Sequence, residues 1–370
     1  MSASAYLDWN ATAPLRPEAA RAVAEALART GNPSSVHRWG RGARRAVERA
    51  RAQVAALVGA ATSAVIFTSG GTEANRLALA GGHGRRILAS AIEHDSVREA
   101  VPEAEIVPVT SEGVVDLRAL DALLAANPRP ALVALMLANN ETGAVQPVGE
   151  AAAIAHRRGA LLHCDAIQAA GKIVVSLDAL GADLLTLSAH KLGGPQGVGA
   201  LVLREGVALA AQQRGGGQER GYRAGTENVP GIVGFGVAAE IAAGELETYA
   251  GIAALRDTAQ ARLLSIAPET RVFGAEAKRL PNTLCIAMPG VPAATQVMAL
   301  DLAGVMVSAG AACSSGKVRP SRVLAAMGAS PEEAGSAIRI SLGWSTAAEE
   351  IDSLAEAWGA LYRRSRADAA

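Results

Sequence analysis

Aromatic residues make up only 3% of the 370 positions. A core with so few rings must be built from Ala, Val, Leu and Ile, and half of the chain is hydrophobic, which is enough to build one. Cysteine is scarce as well. Cys164, Cys285 and Cys313 are an odd number without paired spacing, which implies no disulfide framework and no zinc site. No charge of one sign predominates, since 35 basic residues stand against 35 acidic ones. That balance gives no global attraction to nucleic acid or to an anionic membrane. Long apolar runs are missing: Ala131 to Ala138 falls far short of the ~20 residues that span a bilayer. Residues Met1 to Asp8 lack a basic region followed by an apolar stretch, so no signal peptide is expected and the expected compartment is the cytoplasm.

What is present is an alternating pattern. The length suits about two domains. Short apolar runs bounded by Gly, Asn or Ser are followed by Ala-rich helical stretches. Candidate strands are Ala64–Thr68, Arg86–Ser90, Glu105–Val109, Ala131–Ala138, Ala160–Asp165, Asp183–Ser188 and Ala200–Leu203. Strands that alternate with helices predict an α/β fold with a mostly parallel, seven-stranded sheet covered on both faces. Ligands of such sheets bind beyond the carboxyl ends of the strands. Thr72, Glu73, His94, Asn139, Asn140, Asp165, Ser188 and Lys191 all fall at those ends. After about residue 235 the pattern changes to a long helical stretch reaching about Ile266, then strands at Asn282–Met288, Val305–Ser308 and Ile338–Leu342. A helix is expected at Ala294–Ala303. Thr346 and Glu349 make a capping box for a final helix, with Ile351, Leu354, Ala355, Trp358 and Leu361 on one face. The expected division is a large domain over 15–254 and a smaller α+β domain over 255–370, joined by residues 1–14.

Lys191 is the most telling residue. It follows the apolar run Leu184–Leu187 in a turn of small residues. A lysine held in a cleft loses its proton readily and attacks carbonyls, the chemistry of a Schiff base. Gly70, Gly71 and Thr72 lie between a strand and a helix start, where backbone N–H groups bind anions; an ordinary capped helix after a tight turn looks the same. Asp165 ends an apolar strand, and a buried carboxylate there needs a partner such as a protonated pyridine nitrogen, unless it caps the next helix. Gln168 follows three positions later. His94 lies on the same rim, placed to lie flat on an aromatic cofactor or to fill a structural role. The segments Gly215–Arg220 and Arg223–Asn228 are polar and glycine-dense, as functional loops are. Cys313 sits among Ser308, Ala309, Gly310, Ala311, Ala312, Ser314, Ser315 and Gly316, a setting that suits a mobile thiolate. Cys164 and Cys285 lie in strand-like runs and read as inert. Arg38, Arg41, Arg44, Arg45, Arg49 and Arg51 crowd one helical stretch, either a solvated face or a docking patch for an acidic partner.

Together these segments resemble the cysteine desulfurases of the class V group of fold-type I pyridoxal phosphate enzymes. The resemblance rests on Tyr6–Thr12, Gly31–His37, Thr68–Asn75, Asn139–Gly143, His163–Gln168, Ser188–Lys191, Arg223–Asn228 and Ala312–Gly316, in this order. The loop around Cys313 is similar to the branch named for nitrogen fixation and iron–sulfur assembly. The resemblance implies pyridoxal 5'-phosphate held by Lys191 as a Schiff base. Asp165 would face the ring nitrogen, Gln168 the phenolic oxygen, and His94 the ring face. Gly71, Thr72, Ser188 and His190 would bind phosphate. Thr226 would reach the phosphate of a neighbouring subunit's site, which implies a homodimer. Asn140 and Arg339 would take the substrate carboxylate. Cys313 would accept sulfur from L-cysteine as a persulfide, releasing L-alanine, and would serve as a transient iron–sulfur ligand at most. The implied partner is a sulfur acceptor or an iron–sulfur scaffold protein. Leu361–Ala370 shows no evident equivalent of the longer scaffold-docking tail of the housekeeping branch, so docking of that particular scaffold protein is not expected. Alternative readings are a selenocysteine lyase, another class V aminotransferase, or a non-enzymatic iron–sulfur or sulfur-binding module.

Overall fold

The computed structural model describes residues 4–80, 84–309 and 321–367. Thirteen strands are present among them: β1 (Ala5–Tyr6), β2 (Val65–Thr68), β3 (Arg86–Ser90), β4 (Glu105–Val107), β5 (Ala131–Ala134), β6 (Leu161–Asp165), β7 (Leu184–Ser188), β8 (Gly199–Leu203), β9 (Arg271–Val272), β10 (Thr283–Ala287), β11 (Val305–Met306), β12 (Ser308–Ala309) and β13 (Ala337–Ser341). Seven of them form the central sheet in the order β2-β8-β7-β6-β5-β3-β4. Only β8 runs against its neighbours, so the expected mostly parallel sheet is observed.

Its strands read as continuous apolar runs because both faces are covered. In β5, Ala131 and Val133 enter one core while Leu132 and Ala134 enter the other. The first core packs helices Arg38–Leu57 and Val229–Gly244 against the sheet, and the second packs helix Gly71–Ala80. Adjacent β5 and β6 carry the cleft-bearing loops outward from their carboxyl ends.

A separate antiparallel sheet, β12-β13-β10-β9, builds another core with the final helix Ala348–Ala367. Ala5 and Leu7 belong to this core, and β1 pairs parallel with β11. The N-terminal segment therefore crosses from the antiparallel sheet to the cleft. Among the described residues, no single helix is long and apolar enough to cross a membrane.

Three local expectations change. The helical stretch before Ile266 is three helices, Val229–Gly244, Leu246–Ala250 and Ile252–Ile266. Their axes bend by 69° between the first and the last two. The capping box of Thr346 and Glu349 does not form. Thr346 Oγ1 accepts from Gly343 N–H, and Glu350 accepts from Ala347 N–H and from Tyr6 N–H. The β1 edge needs an acceptor and Glu350 supplies it, while Glu349 stays exposed. Arg51 is not part of a solvated arginine face. It is buried and bidentate to Glu219 at 2.6 and 2.8 Å. Glu219 also accepts from Phe67 N–H at 2.9 Å, so it fastens the glycine-dense loop to β2. Glu219 and Arg220 hold φ of 46° and 56°, a conformation side chains rarely adopt, and the buried pair holds them there.

Candidate active site

Beyond the carboxyl ends of β6 and β7 lies a cleft of about 450 Å³. Asp165 ends β6 and Ser188 ends β7. The chain then turns tightly through Ala189–Lys191 and brings Lys191 to the cleft wall. Lys191 Nζ donates to the backbone oxygens of Asn10 at 2.6 Å and Ala11 at 2.8 Å. Burial, and secondly the Arg339 guanidinium, lower its pKa to about 8, although Asp8 and Asp165 pull the other way. His190 sits beside it with Nδ1 3.2 Å from Thr12 Oγ1. Burial, then Lys191 and Lys172, hold that imidazole down to about 4, so it is neutral near pH 7.

The opposite wall starts where β2 gives way to helix Gly71–Ala80. Gly71 and Thr72 line the cleft there. A Cβ on Gly71 would stand 2.2 Å from Ile167 Cδ1, so a larger residue there would push the Ile167 side chain aside at the cleft wall. Glu73 accepts from Ser69 N–H and pairs with Arg223 at 2.7 Å, which ties the 215–228 loop to this end of the cleft. His94 follows β3 and caps the short helix Asp95–Arg98. Its Nδ1 accepts from Ser96 N–H at 3.0 Å, so a neutral His94 ring carries its proton on Nε2.

From the antiparallel sheet comes Arg339, on β13 and only 5% exposed. It donates to Asp8 Oδ1 at 2.7 Å and to Asn140 O at 3.1 Å. Its Nε is buried and has no partner among the described residues. Asn140 lines the cleft beside it.

The donor set suits pyridoxal phosphate. The Asp165 carboxylate is buried, and it accepts only from neutral donors, Asn75 Nδ2 at 2.8 Å and Ile167 N–H at 2.9 Å. Among the described residues no cation is hydrogen-bonded to this buried carboxylate, which leaves a seat for one, and a pyridinium nitrogen is a cation of the right kind. The helix N-terminus with Thr72 and Ser188 would seat the phosphate, and Lys191 would supply the amine.

Ten expected residues thus meet in one cleft: Gly71, Thr72, His94, Asn140, Asp165, Gln168, Ser188, His190, Lys191 and Arg339. Thr226 does not join them. It lines a groove of about 1150 Å³ with helices Pro17–Leu27 and Arg38–Leu57. Cys313 lies outside the described residues. Cys164 and Cys285 are fully buried, and burial raises both thiols well above their ordinary range, so neither is a ready nucleophile. Among the described residues no cluster of metal-ligating side chains is found. Sequence reasoning missed Asn10, Asp8, Asn75, Ser96 and Lys172 as site residues. Asn10 was within reach, since it stands in the Tyr6–Thr12 motif. Asp8 stands in that motif as well and Asn75 in the Thr68–Asn75 motif, while Ser96 and Lys172 are placed by folding alone.

The fold and this cleft define an enzyme of the fold-type I, pyridoxal-phosphate-dependent class. The chain belongs to the class-V aminotransferase family, whose model matches residues 5–354. It is similar to a cysteine desulfurase of Cereibacter sphaeroides, 48% identical over 366 residues that cover 95% of this chain and 94% of that protein. It is also similar to the cysteine desulfurase IscS of Dictyoglomus turgidum, 40% identical over 95% of this chain and 93% of that one. Among solved structures, a NifS-like protein from Rickettsia africae superposes with a TM-score of 0.92 at 35% identity, covering 97% and 99% of the two chains.

Proposed function

We propose that this chain is a cysteine desulfurase that removes sulfur from L-cysteine, releases L-alanine and passes the sulfur on through Cys313. Its family membership and its near-full-length relatives support this activity. The single observation that carries the site reading is the meeting of Lys191, Asp165 and Arg339 in one cleft.

Pyridoxal phosphate would be held by Lys191 at its aldehyde, by Asp165 at its ring nitrogen and by Gln168 at its phenolic oxygen. Gly71, Thr72, Ser188 and His190 would hold the phosphate, and His94 would cover the ring. When bound, the group supplies an electron sink for the substrate's α-carbon.

The chain's own residues do the rest. Arg339, oriented by Asp8, binds the substrate carboxylate with Asn140 beside it. Lys191, whose pKa is about 8, has roughly a tenth of its amine unprotonated at pH 7, enough to take and return a proton. His94 offers Nε2–H as a donor into the cleft. The thiolate of Cys313 attacks the substrate sulfur, the carbon–sulfur bond breaks with its electron pair left on carbon, and a persulfide forms on Cys313 while that carbon takes a proton and the skeleton leaves as alanine. A sulfur-accepting protein then takes the persulfide sulfur.

A homodimer belongs to this reading. The groove that holds Thr226 is bordered by the exposed apolar residues Leu27 and Trp39, 69% and 59% exposed, and a second copy would cover them.

The test is to give the purified protein L-cysteine, and L-selenocysteine in parallel, and to measure alanine and sulfide. Alanine from cysteine is expected at the higher rate. Cys313→Ser should still bind cofactor yet release no sulfide. Sulfide release from Cys313→Ser would remove Cys313 from the mechanism, and alanine formation from selenocysteine alone would make the chain a selenocysteine lyase.

A further inference from the structure

Only four of the 35 basic residues are lysines: Lys172, Lys191, Lys278 and Lys317. Arginine carries the rest of the positive charge. Lysine is the residue whose charge a protein can remove, so its rare uses are informative. Lys191 is accounted for by the cleft. Lys172, four positions after Gln168, is not. It is 3% exposed and sits behind the cleft wall.

Its surroundings define its state. Nζ donates to Gln168 Oε1 at 2.8 Å and to Asn10 Oδ1 at 3.0 Å. Neither partner is a carboxylate. Two acceptors match the two N–H bonds of an uncharged amine, whereas an ammonium would leave a third N–H and a buried charge unmatched. Lys191 and Arg339 face it from the cleft side. Glu247, Arg256 and Arg279 border the shallow depression on its other side. Burial first, then the two cleft cations, hold its pKa well below the ordinary lysine value.

Its effect falls on Gln168. A glutamine side chain has two ends of nearly equal shape, one a donor and one an acceptor, and its neighbours decide which way it points. Lys172 can only donate to Oε1. Gln168 Nε2 is thereby turned to Asn10 O at 3.0 Å, the same oxygen that receives Lys191 Nζ. Asn10 is fixed in the same way, because Lys172 and Asn282 both donate to its Oδ1.

We propose that Lys172 is a positioning residue: as a buried uncharged amine it holds Gln168 Oε1, so that the glutamine presents N–H rather than oxygen to the phenolic edge of the cofactor. The inference rests on the reading that Gln168 meets that oxygen. A donor at this point stabilises the ionised phenolic oxygen, and a flipped amide would oppose it with an acceptor.

The experiment follows the pH midpoint of the visible absorption band of the purified holoenzyme. Four forms are compared: the unaltered protein, Gln168→Ala, Lys172→Met and the double variant. Losing one donor to an ionised oxygen raises the midpoint by about one pH unit. Both single variants should show that rise, and the double variant should rise no further than either. If Gln168→Ala moves the midpoint and Lys172→Met does not, Lys172 has no positioning role. Additive rises would also overturn it, because Lys172 would then act separately from Gln168. If neither variant moves it, Gln168 does not meet the phenolic oxygen and both readings fall.

A second measurement needs no variant at position 172. The protein carrying ¹³C at lysine Cε, with and without cofactor, gives a spectrum simple enough to resolve, because it holds only four lysines, and Lys278→Arg and Lys317→Arg identify the signals of those two. Lys172 should appear uncharged at pH 7.5. A signal that titrates near the ordinary lysine value would overturn the proposal even if Lys172→Met failed to fold.

Discussion

The central sheet and the antiparallel sheet contribute to the cleft in different ways. The central sheet places its reactive groups at or just past strand ends: Asp165 closes one apolar run, Ser188 closes another, and Lys191 follows in the turn after it. Such groups stand where the ladder ends and line the cleft beyond the sheet. The antiparallel sheet places Arg339 in the middle of a strand, in register with Cys285 on β10 and Ser308 on β12. A guanidinium there is buried by its own sheet, so it needs a counter-charge, which Asp8 brings from the N-terminal segment. The central sheet therefore holds chemistry that depends on local turns. The antiparallel sheet holds recognition that depends on the two parts of the molecule meeting.

Four substitutions separate these contributions, the largest effect first. Lys191→Ala removes the amine that moves protons at the cleft. Alanine formation from cysteine should fall by about 10³-fold or more, measured by product analysis at saturating substrate. A residual rate within tenfold of the unaltered protein would break the assignment to the central sheet.

Arg339→Ala removes the carboxylate anchor and leaves Asp8 without its partner. The ratio kcat/KM for cysteine should fall by about 100-fold, mostly through KM, because recognition is lost and proton transfer is not. A fall confined to kcat would place Arg339 in the chemical step instead.

Glu93 sharpens the comparison from the stability side. It lies next to His94 and is buried, and burial raises its carboxyl to about 8. Its Oε1 accepts from Met136 N–H while its Oε2 has no partner among the described residues. The folded state therefore keeps a proton that the unfolded state loses above its ordinary value of 4.5. Stability from this group is full below pH 4.5 and is lost as pH rises towards 8. Glu93→Gln cannot ionise. Urea unfolding should find it more stable than the unaltered protein by about 4 kcal/mol at pH 8, with no difference at pH 4. An equal gap at both pH values would mean that Glu93 is ionised inside the protein.

Asp8→Asn gives the smallest effect. Arg339 keeps a hydrogen-bonding neighbour but loses its counter-charge, so KM for cysteine should rise by about tenfold with kcat nearly unchanged. An unchanged KM would show that β13 alone orients the guanidinium.

Much of this was legible before folding. The seven central strands were expected within a few residues of where they stand, because strands covered on both faces are written as unbroken apolar runs. β5 stops at Ala134 although the apolar run continues to Ala138, since apolarity does not mark where a ladder ends. The helical stretch before Ile266 looked continuous because alanine favours helix on either side of a break. The role of Arg51 was hidden because its partner Glu219 is 168 positions away.

The sequence by itself determined the order of the chemical groups and the ends of the strands that carry them. Those signals are local: an apolar run, a turn of small residues, a glycine before a helix. Only the tertiary structure decided which atoms meet. Asp8 reaches Arg339 across 331 positions, and Lys172 reaches Asn10 across 162. It also decided the protonation of Lys191 and Glu93, because desolvation depends on everything that packs around a group, and no contiguous stretch of residues encodes that.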